Sequence, residues 1–132
     1  AMAFGKTYCF GPTFRAEKSS TRRHLTEFWM VEPEVAYAEL DEIMDMAEDF
    51  LVEVVKWVLE NGGRQHLEVL ERDLGPLENV QKPFPRISYD EACERLAEMG
   101  ESIDPEDDFG SPHETALTQS FDRPVMIHRF WS

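Results

Sequence analysis

The chain has 132 residues, 42% of them hydrophobic, enough for one moderate core and so for one domain or a piece of one. Its formal net charge of −14 is uneven: residues 1–26 carry a balance of +4 and the remainder −18, so a polyanion is expected only at the basic N-terminal portion, the acidic body repelling it. Two cysteines make no disulfide framework and fit a reduced, cytoplasmic compartment, while no apolar run approaches the roughly 20 residues that span a bilayer and no leader pattern opens the chain.

Tyr8, Phe10, Pro12 and Phe14 alternate with Cys9, Gly11, Thr13, Arg15 and Glu17, the period-two pattern of a β-strand. A polar segment from Lys18 to Glu27 follows, and then a second alternation. Phe28, Met30, Glu32 and Glu34 form one row, and Trp29, Val31, Pro33 and Val35 form an apolar one. Paired antiparallel over residues 7–35, the two strands would gather Arg15, Glu17, an aromatic ring and carboxylates on one side. Tyr8, Phe10, Phe14, Trp29 and Val31 would back them.

From about Glu39 to Glu60 the spacing predicts a long amphipathic helix, its Met and aromatic stripe packed as core, stopped by Asn61-Gly62-Gly63. Residues 64–121 read as a helical insert. Within it, a helix from Arg64 to Leu74 is punctuated by Gly75-Pro76, and the stretch to Pro85 is a connector. Ser88-Tyr89-Asp90-Glu91 is a capping box opening a helix to Met99, and Ser111-Pro112-His113-Glu114 repeats the device ahead of a helix to about Phe121. Residues 124–130 read as a strand. The order predicts an α+β fold with an antiparallel hairpin. His66, His113 and His128 share no metal-ligand spacing with Cys9 or Cys93, so no metal site is expected in these residues.

The continuous run from Tyr8 to Glu34, with Phe14-Arg15-Ala16-Glu17, Arg22-Arg23-His24-Leu25 and Glu27-Phe28-Trp29, resembles the second signature motif of class II aminoacyl-tRNA synthetases in its asparaginyl form. The similarity continues through Phe84-Pro85-Arg86-Ile87-Ser88-Tyr89, Asp107-Asp108-Phe109-Gly110 and Phe121-Asp122-Arg123-Pro124, and so covers essentially the whole chain. It implies part of the family's antiparallel catalytic sheet with flanking helices. It also implies ATP-dependent activation of asparagine and transfer to tRNA by a homodimeric complete enzyme, with Mg²⁺ held by residues outside this chain.

Residue by residue, the resemblance gives Arg15 the ATP α-phosphate and the amino acid carboxylate, a role suited to a planar and permanently charged fork. It gives Glu17 the adenine amino group, and Phe28 a stacking contact with the purine, of order 1–3 kcal/mol per base. His24 is matched to the pyrophosphate. Arg22 and Arg23 lie in the loop that meets the tRNA acceptor end, and Glu32 faces the side-chain amide of asparagine. Being acceptor-only when ionised, Glu32 would take the amide's donors and repel aspartate. Without the resemblance, Arg15 and Glu17 would read as a surface ion pair, Phe28 as core, and Glu32 as a solvent-facing strand residue.

The family's first motif and its glycine-rich third motif do not occur in these residues, and the opening Ala1-Met2-Ala3 reads as the interior of an alanine-rich element. The expectation is therefore an excised middle of a catalytic domain, inactive or very weak alone. Two alternatives stand beside it: a synthetase-derived paralogue that makes asparagine, and a non-catalytic nucleotide-binding remnant.

Overall fold

The computed structural model describes residues 3–16, 24–101, 103 and 107–130. In chain order the elements are β1 (Lys6–Phe14), β2 (Glu27–Val35), α1 (Leu40–Val58), α2 (Arg64–Val69), α3 (Gly75–Glu78), β3 (Arg86–Ser88), α4 (Tyr89–Glu98), α5 (Ser111–Gln119) and β4 (Met126–His128). Strands and helices are mixed as an α+β fold requires. The chain divides into two units, Ala1–Ile43 and Met44–Ser132.

In the first unit β1 and β2 pair antiparallel, with Lys6 opposite Val35 and Phe14 opposite Glu27. The Arg15 N–H donates to the Thr26 carbonyl at 2.9 Å and the Ala36 N–H to the Gly5 carbonyl at 2.7 Å, which fixes the phase of the ladder between them. Every second pair, including Tyr8–Pro33 and Pro12–Trp29, is then a non-hydrogen-bonded one. Both prolines fall in such pairs, where the N–H they lack would have pointed away from the partner strand. The apolar row expected to back the sheet is open among the described residues, with Tyr8 76%, Phe10 61%, Phe14 68% and Trp29 61% exposed. Its order comes from within: Phe10 and Trp29 hold ring centroids 5.0 Å apart across the ladder.

The second unit has its core where β3, α4 and α5 meet. Ile87, Ala92, Leu96 and Leu117 are buried, and Phe109, Phe121 and Ile127 pack against them. β3 was not legible in the sequence as a strand. It pairs parallel with β4, Arg86 opposite Met126 and Ser88 opposite His128. Three residues are too few to show a period, and the same residues carry the capping signal of the next helix. That cap forms as expected: the Ser88 hydroxyl accepts from the Glu91 N–H at 3.2 Å and the Glu91 carboxylate accepts from the Ser88 N–H at 2.7 Å.

Those bonds to Ser88, backbone first and hydroxyl second, hold the Glu91 carboxyl below its ordinary value of 4.5. A carboxyl whose folded value is depressed stabilises the fold above its unfolded value and loses that contribution as pH falls through the folded one. Glu91→Gln should therefore flatten the acid side of the stability profile below pH 4.5 relative to the wild-type chain. Thermal melts across that window check it, and identical profiles would show that the cap is not the source.

Two helix ends differ from expectation. α2 stops at Val69 rather than near Leu74, because Glu71 adopts a positive φ of 53°. The Glu71 N–H reaches the Glu68 carbonyl at 3.0 Å and the Arg72 N–H the Leu67 carbonyl at 2.9 Å. This is a Schellman ending without the glycine that announces one. At α5 the cap is Gly110 and not Ser111, and His113 Nδ1 accepts from the Gly110 N–H at 3.2 Å.

The stripe of α1 expected as core divides in two. Met44 and Glu48 are buried, whereas Phe50, Leu51, Val54 and Trp57 are 43–64% exposed. Glu48, 5% exposed, is a strut. One of its carboxylate oxygens accepts from the Phe84 N–H and the other from Arg86 at 3.3 Å, while Arg86 also reaches Asp45 at 2.5 Å. Glu48→Ala would leave a buried backbone donor unpaired, a loss of about 2–3 kcal/mol. Urea unfolding of the chain should show the lowered midpoint; an unchanged midpoint would remove the strut from the account.

Candidate functional site

Residues directly opposite in an antiparallel ladder point to one face, and residues two apart on a strand return to it. The register therefore puts Thr7, Cys9, Gly11 and Thr13 on one face with Glu34, Glu32, Met30 and Phe28 opposite them. Arg15, joined to Thr26 just past the strand ends, continues the same row. A guanidinium, a benzyl ring and two carboxylates thus occupy a single face, and the apolar row of Tyr8, Phe10, Phe14, Trp29 and Val31 occupies the other.

Order along the strip matters as much as sidedness. Arg15 stands at one end, Phe28 one pair inward, and Glu32 and Glu34 at the far end. Six positions separate Arg15 from Cys9, the partner of Glu32, about 20 Å of strand. Gly11, in the middle opposite Met30, contributes no side chain, and a Cβ built there would meet nothing within 4 Å. A glycine inside a strand marks a place where another group can come close to the backbone. Arg15, Cys9, Glu32 and Glu34 are exposed, while Gly11, Thr13, Phe28 and Met30 are half-buried. The face is a shallow strip with a cationic end, an apolar middle and an anionic end. It suits an elongated ligand carrying an anion, a flat ring and N–H donors.

Of the residues singled out from sequence, Arg15, Phe28 and Glu32 fall on one face, Arg15 and Phe28 near one end and Glu32 toward the other. His24 is exposed in the segment before β2, outside the ladder. Glu17, Arg22 and Arg23 lie outside the described residues. Two residues given no role from sequence belong to the strip: Glu34, opposite Thr7, and Cys9, whose thiol lies 3.8 Å from a Glu32 carboxylate oxygen. Alternation put Cys9 in the row of Arg15 and Glu34 in the row of Phe28, but only the register shows that the two rows share a face and which residue each one faces. Asp107, likewise given no role, is structural: its carbonyl accepts from the Tyr89 hydroxyl beside the stacked Tyr89 and Phe109 rings.

Among the described residues no group of three or more His, Cys, Asp or Glu side chains is arranged to hold a metal ion. No helix in them is long and apolar enough to cross a membrane. The second unit carries an open groove of about 540 Å³ beside α1, lined by Val52, Val55, Leu59, Leu77 and Val80, with Arg64 and Glu78 paired at 2.8 Å. Its lining lacks the mixture of anion-binding and stacking groups found on the hairpin.

The family model for class II tRNA synthetases (D, K and N) matches residues 1–131. The asparagine–tRNA ligase of Koribacter versatilis is 61% identical, the match covering 98% of this chain and 30% of that protein. The asparagine–tRNA ligase of Sorangium cellulosum is 58% identical, over 98% of this chain and 32% of that protein. Among solved structures, asparaginyl-tRNA synthetase from Pyrococcus horikoshii complexed with asparaginyl-adenylate superposes with a TM-score of 0.90 at 43% identity, covering 96% of this chain and 29% of that one. The chain therefore spans about a third of the length of the proteins it matches.

Proposed function

Because the chain belongs to the class II tRNA synthetases (D, K and N), we propose that it is the adenylate-facing part of an asparagine–tRNA ligase. The longer protein activates asparagine as its adenylate, with pyrophosphate leaving from ATP, and then esterifies tRNA(Asn). The observation that carries this reading is the single hairpin face that Arg15, Phe28 and Glu32 share, with the three kinds of group an aminoacyl-adenylate needs: a cation, a ring and a carboxylate.

Adenylate formation is attack of the asparagine carboxylate on the α-phosphorus of ATP, with pyrophosphate leaving. The side chains of the strip supply no nucleophile. Arg15 draws the two mutually repelling anions together and neutralises the charge that builds on phosphorus, so its contribution is positioning and electrostatic. The Phe28 ring stacks on the purine and Glu17 accepts from its amino group, which turns the base so that the α-phosphate falls at Arg15. His24 meets the departing pyrophosphate. At the far end Glu32 accepts from the asparagine amide, and its charge turns away aspartate.

Arg22 and Arg23 are the basic contact for the acceptor end of the tRNA, in keeping with the +4 balance of residues 1–26 on an otherwise acidic chain. ATP is used as its Mg²⁺ complex, with the ion's protein ligands outside these residues. The longer protein works in the cytoplasm as a homodimer.

ATP–pyrophosphate exchange in the longer protein tests the reading. Exchange that depends on asparagine, with no response to aspartate, is the expected result. Binding of ATP without exchange would favour a nucleotide-binding remnant. Release of free asparagine from aspartate would favour the biosynthetic paralogue.

A further inference from the structure

We infer that Cys9 is a positioning residue for the amino-acid end of the site, its thiol holding the Glu32 carboxylate in the orientation that receives the asparagine amide. The inference rests on the ligase reading above and deepens it. Cys9 and Glu32 are direct partners in the ladder, and the phase set by the Arg15–Thr26 and Gly5–Ala36 bonds makes them a hydrogen-bonded pair with both side chains on the strip. The Cys9 Sγ stands 3.8 Å from Glu32 Oε2, within reach of a weak S–H donor.

The surroundings make that contact matter. On its own strand Glu32 is two residues from Glu34, a second carboxylate on the same face about 7 Å away. On the other side Met30 flanks it on its own strand, and Gly11, across the ladder from Met30, offers no side chain. A glutamate in such a place has several rotamers open to it, and each must be given up when substrate binds. A donor directly across the ladder restrains one oxygen and leaves the other for the amide. The sequence around Cys9 hides this role, because a cysteine in an alternating strand reads as one more small side chain.

The test is steady-state exchange in the longer protein with Cys9→Ala and Cys9→Ser, both small replacements at an exposed strand position. Cys9→Ala should raise KM for asparagine about five-fold, the worth of one modest hydrogen bond, with KM for ATP unchanged. Cys9→Ser, which keeps a donor, should restore the wild-type value. In the wild-type protein, alkylation of Cys9 by N-ethylmaleimide, read on its peptide by mass spectrometry, should slow when a non-hydrolysable asparaginyl-adenylate analogue is present.

An unchanged KM for asparagine in Cys9→Ala would overturn the inference and leave the ligase reading standing. So would equal shifts in both KM values, or a serine variant that behaves like alanine. A wild-type protein without asparagine-dependent exchange would remove the ligase reading and this inference with it.

Discussion

Arg15→Ala in the longer protein is expected to lower asparagine-dependent ATP–pyrophosphate exchange by about 10³-fold or more, the scale seen when a preorganised charge-stabilising donor is removed from a reacting centre. The size follows from what the residue does. Two anions must approach within bonding distance, and the transition state concentrates further charge on the phosphoryl oxygens. A fixed guanidinium meets that charge at little reorganisation cost, and a methyl group leaves it to water. The loss should appear mainly in kcat, because ring stacking and the base contacts that hold ATP are untouched. Arg15→Lys should recover only part of the activity, since an ammonium keeps the charge and loses the planar two-donor geometry. An Arg15→Ala protein that exchanges at the wild-type rate would remove the residue from the reaction.

Glu32 sets the second large expectation. Replacing it with glutamine removes the charge and adds an amide that can donate as well as accept, so asparagine keeps only a weaker, neutral acceptor and aspartate exchanges a repelling charge for a donor. The ratio of kcat/KM for asparagine over aspartate should fall by about 10²-fold or more, as expected where selectivity rests on one polar pairing rather than on pocket volume. Competition between the two amino acids in the exchange assay reads that ratio directly. A variant as selective as the wild type would move the specificity element to another residue.

Much of this was legible before any coordinates. Alternation set Arg15 with Cys9 on one side of the first strand and Phe28 with Glu32 on one side of the second, because a period of two leaves a strand only two sides; the apolar rows, if paired, bring the two sets to one face. It could not give the register, and so it could not show Cys9 facing Glu32 or leave Glu34 with its place opposite Thr7. Long-range facts were the ones that escaped. β3 exists because β4 comes back from some forty residues away to pair with it, and the Glu48 strut joins α1 to backbone 36 residues later. Neither leaves a local signal.

Burial leaves an incomplete local signal for a related reason. Apolar periodicity says which sides of α1 and of the hairpin are suited to packing, not whether these residues contain anything to pack there. Trp57 and Phe10 are 64% and 61% exposed on faces whose pattern reads as interior. Where sequence and structure agree most closely, at the Ser88 cap and in the hairpin strands, the determinants lie within a few residues of one another.

The ligand is expected on the Arg15 face of the hairpin. The most direct measurement is of NOEs between the adenine protons of a bound asparaginyl-adenylate analogue and selectively labelled phenylalanine and tryptophan rings in the longer protein. Contacts to Phe28, with none to Phe10, Phe14 or Trp29, are the predicted result. Contacts to the rings of the opposite row, with Phe28 silent, would contradict it.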